Sequence, residues 1–305
     1  MANLITPLGD DVYEIDTQMA GFQGITAGYL ILGDRPCLIE PGTSGSAPVV
    51  REALSSLGVS ADDLASVVVT HIHLDHAGGV GDIAALYPSA EVVVHEKGAR
   101  HLVSPERLVR SARMVFGDMF DALFGELKPT DAARITSVED TGVVDLGGGR
   151  RLETYYSPGH ARHHVGLLDS LTGDLYVGDA AGIYIPETAE VRPATPPPDF
   201  DLETALASLD RFRELRPTRL LFAHYGPVTD VPLTLDRSEE ELRLWVETVR
   251  QAHDAGMDVD HAVAMVSERT AGRYRSYEDP ELREKYEVLN STSSNVAGIM
   301  HSLRT

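Results

Sequence analysis

Ser66-Val67-Val68-Val69-Thr70-His71-Ile72-His73-Leu74-Asp75-His76-Ala77-Gly78-Gly79 is the stretch on which the reading of this chain turns. Its first part is apolar and β-branched, which suits a buried strand. Its second part places three histidines and one aspartate between His71 and His76. Side chains that follow directly on a strand emerge from a rigid edge. Imidazole and carboxylate are the usual nitrogen and oxygen ligands of zinc, and four such donors are more than a single tetrahedral ion takes from one short loop. Two metals sharing the loop is the natural solution.

Upstream of this stretch, Val12–Ile15, Ala27–Leu32 and Pro36–Glu40 read as strands broken by Gly and Asp, and a helix is predicted over 47–57, closed by Gly58. Downstream come a short helix over 80–86 and a strand over 91–95. From Pro105 to Ala133 the residues Leu108, Met114, Phe116, Met119, Phe120, Leu123, Phe124 and Leu127 recur at mostly helical spacing, which predicts a helical insertion at about 100–135. Strands return at 142–146 and 151–156 across a Gly147-Gly148-Gly149 turn, and 164–168 pairs with 174–177 as a hairpin. After the proline-rich 193–198, Asp201 is placed to cap a helix ending near Leu215, and Leu220–Ala223 forms a last strand. From Ser238 the pattern is helical. The order fits an α+β architecture of sheets flanked by helices, with a main domain over 1–235 and a C-terminal helical extension over 236–305.

Three further donors stand at strand ends, each with a glycine nearby: His160 in Ser157-Pro158-Gly159-His160, Asp179 in Tyr176-Val177-Gly178-Asp179, and His224 in Phe222-Ala223-His224-Tyr225-Gly226-Pro227. Taken singly, each is more often a loop residue than a ligand. Beside the first cluster they supply donors from the other directions that a closed metal site requires.

This ordered set, His71-x-His73-x-Asp75-His76, Pro158-Gly159-His160, Gly178-Asp179 and His224-Tyr225-Gly226-Pro227, resembles the metallo-β-lactamase superfamily of dinuclear metallohydrolases, of the hydroxyacylglutathione hydrolase-like type. The resemblance covers about residues 10–230. It implies a four-layer αβ/βα sandwich with metals at one edge. It further implies that His71, His73 and His160 hold one metal, that Asp75, His76 and His224 hold a second, and that Asp179 bridges both. Two Zn2+ per chain are the implied cofactors, with Fe or Mn left open by ligand type. Asp75 in place of Glu argues against the di-iron flavoprotein branch, which also needs a flavodoxin domain. The run His160-Ala161-Arg162-His163-His164 departs from many relatives, which carry Thr after this histidine. Here His160 is expected as the ligand, with His163 or His164 supporting or packing beside it.

The activity implied is hydrolysis by a metal-bridging hydroxide, the two ions also polarising the scissile bond. Asp75 is the expected catalytic residue, orienting the hydroxide and moving its proton. Tyr184 and Tyr225 read either as oxyanion donors or as core residues. The face carrying Met114, Phe116, Phe120 and Phe124 either packs on the sandwich or roofs an apolar pocket. The C-terminal helices, with Trp245 and Tyr274, either close the same cleft or build a homo-oligomer interface. Cys37, inside an apolar strand, reads as a buried small hydrophobe.

The 305 residues carry 47 Asp and Glu against 26 Lys and Arg, a formal net charge of −21. Such a surface repels phosphate backbones and anionic lipids, so neither nucleic acid nor membrane is an expected partner and a small-molecule substrate is. The single cysteine allows no intrachain disulfide, the first residues show no signal-peptide pattern, and no run reaches the ~18 apolar residues of a membrane helix. A cytoplasmic enzyme acting on a small ester, thioester or lactone is the leading expectation. The alternatives are a mononuclear iron persulfide dioxygenase using His71, His160 and Asp179, a phosphodiesterase of the same superfamily, and a catalytically silent scaffold.

Overall fold

The computed structural model describes residues 4–304; positions 1–3 and 305, at the two ends of the expected domains, lie outside the described residues. Two compact units divide the chain, one running to Tyr156 and taking in Val165–Tyr176, the other made of Ser157–His164 and the chain from Val177 onward.

The first unit opens with β1 (Ile5–Gly9), β2 (Val12–Asp16), β3 (Ala27–Ile31) and β4 (Cys37–Ile39), paired antiparallel in chain order. Beyond β4 the pairing turns parallel. Parallel neighbours cannot be joined by a tight turn, and helices make the crossings. Between β4 and β5 (Ser66–Val68) lies α1 (Ala47–Ser56), and between β5 and β6 (Glu91–His95) lie α2 (Leu74–Ala77) and α3 (Val80–Leu86). The chain then passes through α4 (Glu96–Val103), α5 (Glu106–Phe116) and α6 (Phe120–Leu123) to β7 (Ile135–Val138). The seven strands lie in sequence order, β1 to β7. Alternate residues such as Val67 and Val69 or Val92 and Val94 enter one core, packed with Val50 and Leu54 of α1 and Ile83 of α3.

The opposite face meets a second sheet. Strands β8 (Thr141–Asp145), β9 (Arg151–Tyr156), β10 (Val165–Asp169) and β11 (Asp174–Gly178) pair antiparallel in succession. Tyr29 of β3 meets Tyr176 of β11 edge to face at 5.2 Å. Arg150 and the fully buried Asp169 form an ion pair, the Nε 3.1 Å from each carboxylate oxygen, and Arg150 also donates to the Asp10 carbonyl at 2.7 Å. Cys37 is buried as expected, and burial pushes its thiol up to about 12.

In the second unit β12 (Ile183–Ile185) and β13 (Glu190–Arg192) form a hairpin, α7 (Leu202–Leu215) follows, and β14 (Arg219–Phe222) pairs antiparallel with β15 (Gly226–Val228). Then come α8 (Val231–Asp254), α9 (Val259–Thr270), α10 (Pro280–Leu289) and α11 (Thr292–Ser302). Asp201, Asp230, Asp258, Asp279 and Ser291 cap these five helices through side-chain bonds to backbone N–H groups. The helical tail expected from Ser238 thus begins at Val231.

One expectation needs correction. α-Helix in the insertion ends at Leu123, with only a 3-10 turn at Ala132–Arg134 beyond it, and its apolar stripe divides: Phe120, Leu123, Phe124 and Leu127 are buried while Met114, Phe116 and Met119 face solvent. Trp245 and Tyr274, read as available either to close the cleft or to build an interface, are both buried within the chain. The Trp245 Nε1–H donates to the Tyr274 hydroxyl at 2.9 Å, and that hydroxyl donates to Glu241.

Candidate metal centre

The first unit contributes His71, His73, Asp75 and His76. Beyond β5 the chain bends at Thr70, and His73 is extended (φ −62°, ψ 153°) where it leads into α2. There the His71 Nε2 and His73 Nδ1 face one another at 3.0 Å. The helical turn returns His76 to the same place, its ring 4.0 Å from that of His71, and sets an Asp75 carboxylate oxygen 3.7 Å from the His76 Nε2. The Thr70 hydroxyl lies 3.0 Å from the His71 Nδ1. His71 and His76 are buried, and His73 and Asp75 are half-buried.

Glu40 organises this half and was not singled out from the sequence. It follows β4, which pairs in parallel with β5, and its φ of 57° lies in the left-handed region. A residue with a Cβ pays of order 1–3 kcal/mol there, a strain that persists only where surrounding contacts impose it. Its carboxylate supplies them. One oxygen accepts the Thr70 backbone N–H at 2.5 Å and the other accepts the His76 Nδ1–H at 2.5 Å. A carboxylate on Nδ1 fixes the ring and makes Nε2 the candidate donor atom. A second unassigned group stands at the end of β6, where His95 stacks on Tyr156 at 4.6 Å and the Lys97 ammonium donates to the Tyr156 hydroxyl at 2.8 Å. Burial, then the Lys97 charge, holds the His95 pKa below the usual imidazole range.

The second unit contributes His160, Asp179 and His224, all buried. The two oxygens of Asp179 divide between the two rings: Oδ2 lies 3.4 Å from the His160 Nε2 and Oδ1 lies 3.4 Å from the His224 Nε2. His160 donates from Nδ1 to the Ala194 carbonyl at 2.9 Å. Its approach depends on Gly159, whose φ is 125° and where a Cβ would lie 2.4 Å from the backbone of Ala205 in α7. His164 is committed to support: Nε2 accepts the Asp179 backbone N–H at 3.2 Å and Nδ1 faces the Ser157 hydroxyl at 2.9 Å. His224 is held from β12, since Tyr184 donates its N–H to the His224 carbonyl and accepts the Tyr225 N–H at 3.0 Å. The Tyr184 ring rests 5.7 Å from that of Phe222.

Sheets flanked by helices, carrying a cluster of histidines and aspartates of metal-donor type, define an α+β metal-binding protein. The model of the metallo-β-lactamase superfamily matches residues 21–224, and the chain belongs to that superfamily. It has that family's sandwich fold. The chain is 33% identical over 234 residues to the metallo-β-lactamase fold-containing protein ST1585 of Sulfurisphaera tokodaii, covering 74% of this chain and 84% of that one. A crystal structure of ST1585 from Sulfolobus tokodaii aligns with a TM-score of 0.65, at 31% identity over 78% of this chain and 87% of that one. A hydroxyacylglutathione hydrolase of a Synechococcus species is 26% identical over 253 residues, 81% of this chain and 85% of the relative. The atrochrysone carboxyl ACP thioesterase of Claviceps purpurea is 24% identical over 255 residues, 80% of this chain and 67% of the relative. No helix among the described residues is long and apolar enough to cross a membrane.

Proposed function

We propose that this chain is a zinc-dependent hydrolase of a small ester, thioester or lactone, with an acyl thioester as the leading substrate, and that seven donors hold two Zn2+. In this reading His71, His73 and His160 hold one ion, Asp75, His76 and His224 hold the other, and Asp179 is shared. The observation that carries it is how the donors are presented. His76 and His160 each commit Nδ1 to a protein acceptor and keep Nε2 for a cation, and Asp179 turns one oxygen to each of two histidines. Five imidazoles and two carboxylates suit Zn2+. Bound there, two such ions would supply a hydroxide at neutral pH and polarise the acyl oxygen.

The protein's own residues orient and move protons. Glu40 locks the His76 ring and the loop that carries it. Asp75, half-buried in the first turn of α2, is the candidate to take and pass on the nucleophile's proton. The thioester ranking is supported by the names of two relatives, a hydroxyacylglutathione hydrolase and an ACP thioesterase. A reducing, cytoplasmic setting is supported by the single, buried cysteine.

The test is metal analysis of the purified protein combined with a hydrolysis panel of acyl thioesters, aryl esters, lactones and phosphodiesters. The expected result is about two zinc ions per chain and thioester cleavage that chelation abolishes and zinc restores. Asp179→Ala is expected to lose both metal and activity. Full activity without metal would overturn the scheme, and one iron per chain with sulfur-dependent oxygen uptake would replace it with the dioxygenase.

A further inference from the structure

Between β13 and α7 the chain runs through Pro193, Ala194 and Thr195, and each of the three carbonyls or amides here has a named task. The Ala194 carbonyl accepts the Nδ1–H of His160 at 2.9 Å. Its neighbours on both sides are pinned from about 100 residues further along the chain. On one side, the Asn290 Nδ2 donates to the Pro193 carbonyl at 2.9 Å. On the other, the Thr195 N–H donates to the Asn295 Oδ1 at 2.5 Å, and the Thr195 hydroxyl lies 3.1 Å from the Asn295 carbonyl and 3.0 Å from its Oδ1.

The two asparagines are themselves joined. The Asn295 Nδ2 donates to the Asn290 Oδ1 at 2.5 Å and to the Ser291 carbonyl at 3.1 Å. Asn290 sits where α10 ends and Asn295 lies in the first turns of α11, so the joint between the two helices is what grips the segment. Packing adds to the grip: a Cβ on Gly298 of α11 would lie 1.9 Å from the Thr195 carbonyl oxygen, so the helix backbone rests directly on it. Thr195, Asn295 and His160 are all buried. A buried amide with its donors and acceptors all engaged allows little rotation, because each lost bond leaves a desolvated polar group costing about 1–3 kcal/mol.

We propose that α10 and α11 aim His160, and that Asn295 is the positioning residue through which they do so. This rests on the reading of His160 as a metal ligand. The Ala194 carbonyl selects the tautomer with Nδ1 protonated and fixes the ring plane, while Asn290 and Asn295 fix the carbonyl. The C-terminal helices therefore tune the ion that His160 holds.

The test measures zinc affinity by competition with a chromophoric chelator, together with the visible absorption of the cobalt-substituted protein, which reports ligand geometry. In Asn295→Ala one of the two ions is expected to bind about 10–100-fold more weakly, with the other unchanged and the cobalt bands of one site altered. Its kcat is expected to fall with KM little moved. Asn290→Ala, which removes the donor to the Pro193 carbonyl and the acceptor for the Asn295 Nδ2 at a half-buried helix junction but leaves the Asn295 bonds to Thr195 in place, is expected to show the same loss in smaller degree and remains informative should Asn295→Ala fail to fold. Wild-type affinity for both ions in the folded variants, whatever their thermal stability, would overturn the proposal. His160→Ala separates this from the underlying reading: if that variant keeps both ions at wild-type affinity, His160 is not a ligand and the metal assignment itself fails.

Discussion

At the scale of single residues, the donors and the groups that hold them were not equally visible. His71, His73, Asp75 and His76 announce themselves because four donor side chains crowd one short segment after an apolar strand. Glu40 does not, because it is one of 47 acidic residues and stands 36 positions from the imidazole it holds. Only the parallel pairing of β4 with β5 brings it under the histidine loop. The sequence left open whether His163 or His164 supports or packs beside the ligand; the His164 nitrogens face the Ser157 hydroxyl and the Asp179 amide. Glu40 also yields a test. Glu40→Gln keeps an acceptor for the Thr70 N–H but removes the charge facing the His76 Nδ1–H. Zinc affinity is expected to fall about 10–100-fold, the usual effect of losing such an outer partner. Unchanged affinity in a competition titration would show that Glu40 serves only the backbone.

At the scale of elements, what sequence reading missed has a common cause. β1 and β15 each contain a proline, Pro7 and Pro227, which breaks the apolar run and is tolerated where a strand lacks a neighbour on one side. β12 and β13 are three residues each, too short to carry a period. β7 was obscured by the helical insertion before it, whose apolar spacing carried on past Leu123 although the helix did not. Glycines in the left-handed region test how elements dock. At Gly159 the backbone needs φ 125° and α7 fills the space a Cβ would take, whereas at Gly58, with φ 83°, nothing lies within 4 Å. Gly159→Ala is expected to cost roughly 2–5 kcal/mol through backbone strain and overpacking together, and Gly58→Ala about 1 kcal/mol from strain alone. Urea unfolding midpoints compare them directly, and equal losses would mean that α7 does not press on Gly159 as described.

At the scale of the whole molecule, the charge of −21 acquires a structure: aspartates cap α7 to α10, Asp169 is neutralised by Arg150, and others are proposed to face cations. Metal removal should therefore be felt as stability, since a ligand that binds only the folded state stabilises by RT ln(1 + [L]/Kd), about 2.7 kcal/mol per ion at a hundredfold excess over Kd. Chelation is expected to lower the thermal midpoint and added zinc to restore it. A midpoint indifferent to both would count against bound metal. The amino-acid sequence by itself determined the family, through the resemblance its ordered motifs carry, and it determined the order of strands and helices in outline and which side chains bring metal-donor chemistry, because these are written in local composition and spacing. Tertiary structure alone decided what holds those donors: Glu40 on His76, the Ala194 carbonyl on His160, and Asn295 on Thr195. These bonds join residues 36, 34 and 100 positions apart, and a hydrogen bond between such distant partners exists only once strand pairing and helix docking have brought them into reach.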